Sequence, residues 1–338
     1  MKTSGRTAIS LRPFRDEDES AVLELLEASL GGGPVGRRPP AFFRWKHLEN
    51  PFGRSHMLLA EARGRVVGFR SFMRWRFDLG GQPVRAVRAV DTATHPDFQG
   101  FGIFRRLTTA AIEELRAEAD LIFNTPNEKS LPGYLKMGWG RVADVPIRVR
   151  IRRPVRFVRH LRSRHDGAAS PAEEVVIPKE PSVERPWGAM AAIAGTTDGR
   201  GLMTTRNEAY LRWRYGTAPL LDYRVADDCD VEGLRGTAVY RVRSRGRLRE
   251  ATIVELLVYP GDRSCASRLL RRVAREADVD HLTCSFPEGS VQATAARRAG
   301  FLPSPEGPTL VANPLRDLPV DVWSLQSWAL TLGDLEVF

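Results

Sequence analysis

THPDFQGFGIFRRL, residues Thr94–Leu107, is the stretch on which the fold turns. A β-rich run, Val84–Thr94, stops at Pro96, glycines stand at 100 and 102, and a long amphipathic segment follows at once. Ile103, Leu107, Ala111 and Leu115 recur at helical spacing, which predicts a helix over Phe98–Ala119. Glycines at such a junction let the backbone approach a ligand and turn its N–H groups outward. A helix N-terminus adds unsatisfied N–H donors and a partial positive charge, which suits a phosphate or pyrophosphate. Gln99 supplies a polar side chain at the rim. The same residues also serve a plain strand–turn–helix junction, and spacing alone does not separate the two uses.

Working outward, Ile9–Pro13 reads as a strand and Asp16–Leu30 as an amphipathic helix ended by Gly31-Gly32-Gly33-Pro34. Phe42–Glu49 reads as a helix closed by Asn50-Pro51. His56–Ala62 and Arg65–Leu79 read as strands joined at Arg63-Gly64. After the long helix, Leu121–Phe123 is a short buried strand and Ser130–Met137 a short helix ending at Gly138. That order of elements predicts an α/β fold with a mixed central sheet flanked by helices.

The pattern then returns. FFRWKHLENP at 42–51 reappears as YLRWRYGTAP at 210–219, and the β-run, proline and basic helix of 86–107 reappear at 250–270. Trp45 and Trp213 are offset by 168 residues, Pro96 and Pro260 by 164, Gly138 and Gly300 by 162. Two copies at this spacing predict a duplicated domain rather than a solenoid. We therefore expect a first domain over 1–150, a basic segment and linker over 151–186, and a second domain over 187–338. Within the basic segment, 148–165 reads as a strand followed by a solvated basic helix with Val155, Val158 and Leu161 on one side; 166–186 is Pro-, Ala-, Ser- and Glu-rich and reads as linker.

At 338 residues the chain has ample length for two domains. Hydrophobic residues at 42% and charged residues at 27% exclude collagenous, coiled-coil and wholly disordered classes. No apolar run spans a bilayer and the N-terminus has no signal-peptide core, so a cytoplasmic protein is expected. Cys229, Cys265 and Cys284 lack any C-x-x-C spacing, which argues against a disulfide framework or zinc site, and no metal is expected. The formal charge of +10 attracts polyanions, but its Arg-rich character is equally that of a generally basic proteome.

Gln99-Gly100-Phe101-Gly102-Ile103-Phe104 resembles the acyl-CoA-binding motif Gln/Arg-x-x-Gly-x-Gly/Ala of the GNAT (GCN5-related N-acetyltransferase) superfamily. Gln99 and Gly102 match its first and fourth positions, and Phe104 departs at the sixth. Asn127, Ser130, Tyr134, Gly138 and Trp139 resemble the GNAT segment Asn-x-x-Ala/Ser-x-x-x-Tyr-x-x-x-Gly-Phe, in the correct chain order. The resemblance implies two tandem GNAT-like domains and acetyl-CoA or another acyl-CoA as donor. It places the CoA arm against Thr94, Gln99, Gly100, Phe101, Gly102, Ile103, Phe104, Asn127 and Ser130, and makes Tyr134 the acid that protonates the leaving thiolate.

N-acyl transfer requires two reactants held together, a proton taken from the amine and a proton given to sulfur. Asp91 is the expected base: period-2 alternation puts Ala89 and Ala93 on its face, and apolar neighbours raise a carboxylate's pKa. Pairing of Asp91 with one of the many arginines is the competing expectation. Glu61, His95 and Glu128 are further candidates, as is the terminal carboxylate of Phe338, because some tandem GNAT enzymes bring their tail into the cleft. In the second copy Ala266 stands opposite Gly102, Arg268 opposite Phe104, Gly289 opposite Asn127 and Ala296 opposite Tyr134, so that half is expected to be degenerate.

The expected activity is thus transfer of an acyl group from acyl-CoA to a small-molecule amine or amino-sugar acceptor in the first domain. One rival is a peptidyl transferase resembling the Fem family, using aminoacyl-tRNA; otherwise nucleic acid is not an expected partner. The other rival is a non-catalytic acyl-CoA-binding protein.

Overall fold

The structure, a computed structural model, describes residues 8–30, 39–165, 185–196, 201–245 and 247–335. The linker expected over 166–186 therefore falls almost wholly outside the described residues, as does Phe338. Two mixed sheets form, each flanked by helices. The first contains β1 (Ser10–Pro13), β2 (His56–Ala62), β3 (Arg65–Leu79), β4 (Gln82–Thr94), β5 (Leu121–Asn124), β6 (Gly140–Asp144) and β8 (Met203–Thr204). The second contains β7 (Arg148–Ile151), β9 (Tyr223–Asp230), β10 (Gly233–Arg245), β11 (Leu248–Val258), β12 (His281–Cys284) and β13 (Leu302–Pro303). The last strand, β14 (Thr309–Pro314), returns to the first sheet.

That return has a counterpart. β14 lies between β5 and β6 and pairs antiparallel with both, while β7, from the first half of the chain, lies between β12 and β13 and pairs antiparallel with both. Each half thus gives one strand to the other's sheet. A boundary drawn at residue 150 cuts through β7, and the sheet completed by 309–314 is the first one.

The helices are α1 (Glu19–Leu30), α2 (Pro40–His47), α3 (Ile103–Leu115), α4 (Leu131–Lys136), α5 (Pro154–His165), α6 (Trp187–Gly195), α7 (Glu208–Leu211), α8 (Arg263–Glu276), α9 (Val291–Arg298) and α10 (Leu332–Leu335). On the first sheet α1 and α2 cover one face through Val22, Leu25, Leu26 and Phe43 against Leu59 and Phe69. α3 and α4 cover the other through Ile103, Leu107 and Tyr134 against Phe72, Val87 and Ile122. α8 and α9 do the same for the second sheet, burying Leu269, Leu270, Val273 and Ala296. Val155 and Val158 of α5 are exposed.

The repeated Arg-Trp motifs meet. Trp45 Nε1 donates to the Trp213 carbonyl at 2.8 Å, Trp213 Nε1 donates to the Trp45 carbonyl at 2.8 Å, and the rings stack 4.9 Å apart. Both are buried in the largest apolar cluster, which joins the two halves. Trp45 therefore packs between the halves and does not line an open pocket. A buried polar group ties elements of the second half together: Arg206 binds Glu255 of β11 at 2.9 Å and Asp334 of α10 at 2.8 Å.

Candidate active site

β4 and β5 run parallel but pair only over Ala86–Arg88 against Leu121–Phe123. β4 continues to Thr94, so the two strands part beyond Arg88 and leave β4's edge open. Within that open stretch β4 carries a bulge: Arg70 of β3 faces Thr92 while Ser71 faces Val90, leaving Asp91 as the extra residue. A bulge shifts the alternation of side chains along a strand. Ala89 accordingly lies with the α3 cluster and Ala93 with the α1–α2 cluster, on opposite faces, where uninterrupted alternation put them together.

The far end of the cleft is made by the glycine loop. α3 begins at Ile103, five residues later than the sequence pattern predicts, because Pro96–Phe98 forms a separate turn and Gly100 and Gly102 sit at φ +83° and +69°. Such left-handed backbone favours glycine. Gly102 occupies the N-cap position, so no side chain caps α3 and its first N–H groups point outward. A Cβ at either glycine would meet nothing within 4 Å, so the space before them is open. Gly68 brings this helix start down onto the sheet: a Cβ there would lie 2.4 Å from Ile103 Cγ2. Gly68 pairs with Thr94, which sets the N-terminus of α3 at the mouth of the β4–β5 gap. Thr94 is partly buried there, and Gln99 and Phe101 are exposed at the rim.

Tyr134 of α4 stands on the same face as α3, its ring edge-on to Phe104 at 5.6 Å and to Trp139 at 5.1 Å. The departure at Phe104 has a local partner: its ring lies against Gly133, where a Cβ would come within 3.2 Å. Phe104 thus fills the space between α3 and α4 and walls Tyr134 away from the loop. Asn127 and Ser130 lie at the start of α4. The Asn127 carboxamide oxygen accepts from Ser130 N and Ser130 Oγ, both at 3.0 Å, and so shapes the turn into the helix.

Asp91 is on the other face. Its Oδ2 meets Lys46 Nζ at 2.9 Å and His47 Nε2 at 2.9 Å, both from α2, and its side chain is 4% exposed. His47 Nδ1 in turn reaches Ser55 Oγ at 2.9 Å and Ser71 Oγ at 3.2 Å. The structure sets Thr94 beside the glycine loop, packs Tyr134 behind Phe104 in the layer of α3 and α4, and does not bring Asp91 to that face. Glu61 is bound by Arg12 at 2.7 Å, and Glu128 is exposed.

Several groups at the cleft carry no sequence motif. At its closed end Arg88 of β4, wholly buried, donates from Nη2 to Thr125 Oγ1 at 3.1 Å and to the Leu335 carbonyl at 2.8 Å. Burial, with the nearby Arg214 charge, pushes the Arg88 guanidinium down to about 9. Asn124, the last residue of β5, is buried with its side-chain oxygen unpartnered. Arg70 lies buried beside Tyr134 and Phe104. In a sequence with so many arginines, nothing distinguishes these from solvated ones.

The family model of the acetyltransferase (GNAT) domain matches residues 10–142. Residues 10–142 are a GNAT domain. Among solved structures the GNAT fold extends across most of the chain. A probable N-acyltransferase of unknown function from Enterococcus faecalis V583 superposes with a TM-score of 0.65 at 13% identity, covering 91% of this chain and 73% of its own. A GCN5-related N-acetyltransferase from Anabaena variabilis gives 0.64 at 12% identity over 91% and 73%. Eis1 from Mycobacterium abscessus gives 0.57 at 14% identity over 91% and 74%. Among curated proteins no sequence matches. These likenesses show the fold, and with the two mixed sheets they are consistent with two GNAT-like domains. Among the described residues no helix is long and apolar enough to cross a membrane, and no cluster of metal-ligating side chains occurs.

Proposed function

We propose that this protein is an acyl-CoA-dependent N-acyltransferase with one working site, in the GNAT domain, and that the second half is a degenerate copy that shapes the acceptor side. The observation that carries the reading is the cleft where β4 leaves β5, with the uncapped N-terminus of α3 at its mouth and Tyr134 packed in the layer of α3 and α4. The orphan N–H groups at Gly102–Phe104 would hold the diphosphate, assisted by the helix dipole. The open edge of β4 offers backbone donors and acceptors to the amide-bearing pantetheine arm, as an added strand would use them. Thr94, Gln99, Phe101, Asn127 and Ser130 line the approach.

In the transfer itself the amine nitrogen bonds to the thioester carbonyl carbon, the carbon–sulfur bond breaks, the nitrogen sheds one proton to solvent, and Tyr134 gives the sulfur its proton and is reprotonated from solvent. Holding the two reactants in register supplies much of the acceleration. We read Asp91 as a positioning residue: its ties to Lys46 and His47 fasten the bulge of β4 to α2 and leave it poorly placed as a base. An acceptor that binds as the free amine needs no deprotonation before attack, and water can take the proton its nitrogen sheds afterwards. Small-molecule amines and amino sugars are the acceptor class proposed.

Calorimetric titration of acetyl-CoA into the wild type and Gly102→Glu tests this. The expected outcome is micromolar binding by the wild type and its loss in the variant, where a carboxylate faces the phosphate site. Absence of binding by the wild type, with binding of aminoacyl-tRNA, would move the reading to the Fem-like alternative. Binding without turnover across an amine panel would make the protein an acyl-CoA-binding module.

A further inference from the structure

Two buried arginines elsewhere in this molecule are well matched. Arg206 meets Glu255 and Asp334, and Arg214 donates to Tyr223 Oη at 3.0 Å and to the Gly333 carbonyl at 2.9 Å. Arg70 differs. It is 0% exposed, and its one hydrogen bond runs from Nη1 to the Val90 carbonyl, at 3.3 Å. Among the described residues its Nε and Nη2 have no hydrogen-bond partner and no acidic side chain pairs with it. The guanidinium instead lies 4.4 Å from the ring centroid of Phe72, 5.3 Å from that of Tyr134 and 5.5 Å from that of Phe104. Aromatic faces attract a cation but return only part of its lost hydration.

An unneutralised charge in a dry interior costs several kcal/mol, and it acts far more strongly on a nearby anion there than it would in water. The place matters. Val90, which accepts its bond, adjoins the bulge of β4, and Tyr134, the acid of the proposed reaction, lies against the guanidinium. A thioester is neutral and gains nothing from the charge. A thiolate forms only as the carbon–sulfur bond breaks. A fixed cation lacking an anion in the ground state therefore favours the transition state over the bound substrate, the condition for raising kcat.

We propose that Arg70 is a positioning residue whose unpaired charge stabilises the CoA thiolate as it leaves, acting from beneath Tyr134. The inference rests on the acyl-CoA reading above. Because Nε and Nη2 are sealed from solvent, Arg70 works through its field, and Tyr134 makes the contact with sulfur. In bond terms nothing is added: the electron pair of the carbon–sulfur bond passes to sulfur, and Tyr134 protonates it. Among the ring and hydrogen-bond contacts that Arg70 makes with the described residues, Tyr134 is the one titratable group.

The probe pair is CoA and S-methyl-CoA, which cannot ionise, titrated at mildly alkaline pH. The wild type should bind CoA about tenfold or more tightly over S-methyl-CoA, with bound CoA showing the ultraviolet absorbance of a thiolate. Arg70→Gln should lose both while keeping its S-methyl-CoA affinity, and its kcat should fall about 100-fold, the scale for loss of one charge-stabilising group. Arg70→Lys, which keeps the charge, should retain part of the preference. Equal binding of the two ligands by the wild type, or a preference unchanged in Arg70→Gln, overturns the role of Arg70 and leaves the acyl-CoA site standing. Failure of both ligands to bind the wild type overturns the parent reading and this one with it. If Arg70→Gln does not fold, the wild-type thiolate signal and Arg70→Lys still decide.

Discussion

The same corner of the two sheets is built twice and finished differently. In the first half α3 starts from Gly102 with no capping side chain and open space before it. In the second half α8 starts from Asp262, whose Oδ1 accepts from Cys265 N at 2.9 Å, so the helix carries its own anion. In the first half β4 parts from β5 and its edge stays open. β11 likewise pairs with β12 only as far as Ile253 and runs on to Val258, but there Gln292 of α9 donates to the Leu256 carbonyl at 3.2 Å and fills part of the gap. Ala296 stands where Tyr134 would be. Cys265 offers no substitute chemistry, since burial, together with Asp228, pushes its thiol up to about 12. On the function proposed above, the first sheet serves as a site through what is left unsatisfied, and the second serves as scaffold because its own side chains satisfy it.

Scaffold does not mean dispensable, and the largest effect we expect follows from that. Because β14 completes the first sheet and β7 the second, residues 1–150 expressed alone should fail to fold. They would leave β5 and β6 without the strand that separates them, exposing backbone edges prone to aggregation. Co-expression of 1–168 with 185–338 should restore a soluble complex that binds acetyl-CoA, as read by gel filtration and calorimetry. A soluble, acetyl-CoA-binding 1–150 fragment would break the comparison, because the second half would then be an accessory and not part of the first fold.

The next effect is confined to chemistry. Tyr134→Phe keeps the ring contacts to Phe104 and Trp139. It should lower kcat about 100-fold, within the range of a lost general acid, while leaving acetyl-CoA affinity and melting temperature unchanged. Ala296→Tyr in the second half should create no second acetyl-CoA site, since Gln292 and Asp262 still occupy the corresponding positions. Steady-state kinetics and binding stoichiometry check both.

How much of this could be read from residues alone follows from the range of the interactions. The strands β2 and β3, the helix after the glycine loop and the two Arg-Trp motifs are local patterns, and His56–Ala62 and Arg65–Leu79 fall where alternation placed them. The exchange of β7 and β14 was not legible, because partner choice between strands depends on contacts far apart in sequence. The start of α3 was misplaced because helical periodicity continues through residues whose backbone the glycines turn aside. The neighbours of Asp91 were misread for a single reason: one extra residue in β4 reverses which face each side chain takes, and a bulge leaves no mark in composition. Arg70 and Arg88 were invisible because burial of a charge is a property of the fold, not of the residue.

The smallest effect tests whether the second helix really carries its own anion. Asp262→Ala removes the carboxylate that caps α8 and should cost about 1 kcal/mol at neutral pH, the ordinary worth of an N-cap, with acetyl-CoA binding and turnover unchanged. The sign with pH is fixed by the fold. The backbone N–H of Cys265, with further help from Ser264 and Arg235, holds the Asp262 carboxyl below the usual carboxylate range. Its contribution is therefore fully present above the unfolded value of about 4 and is lost as pH falls toward the folded value. Urea melts of wild type and Asp262→Ala should differ in midpoint at pH 7 and converge as the pH drops below about 4. A difference that persists undiminished in acid would mean that the side chain holds α8 by shape and not by charge. The contrast with Gly102 would then reduce to backbone conformation, and the first loop would owe its openness to its glycines rather than to a missing anion.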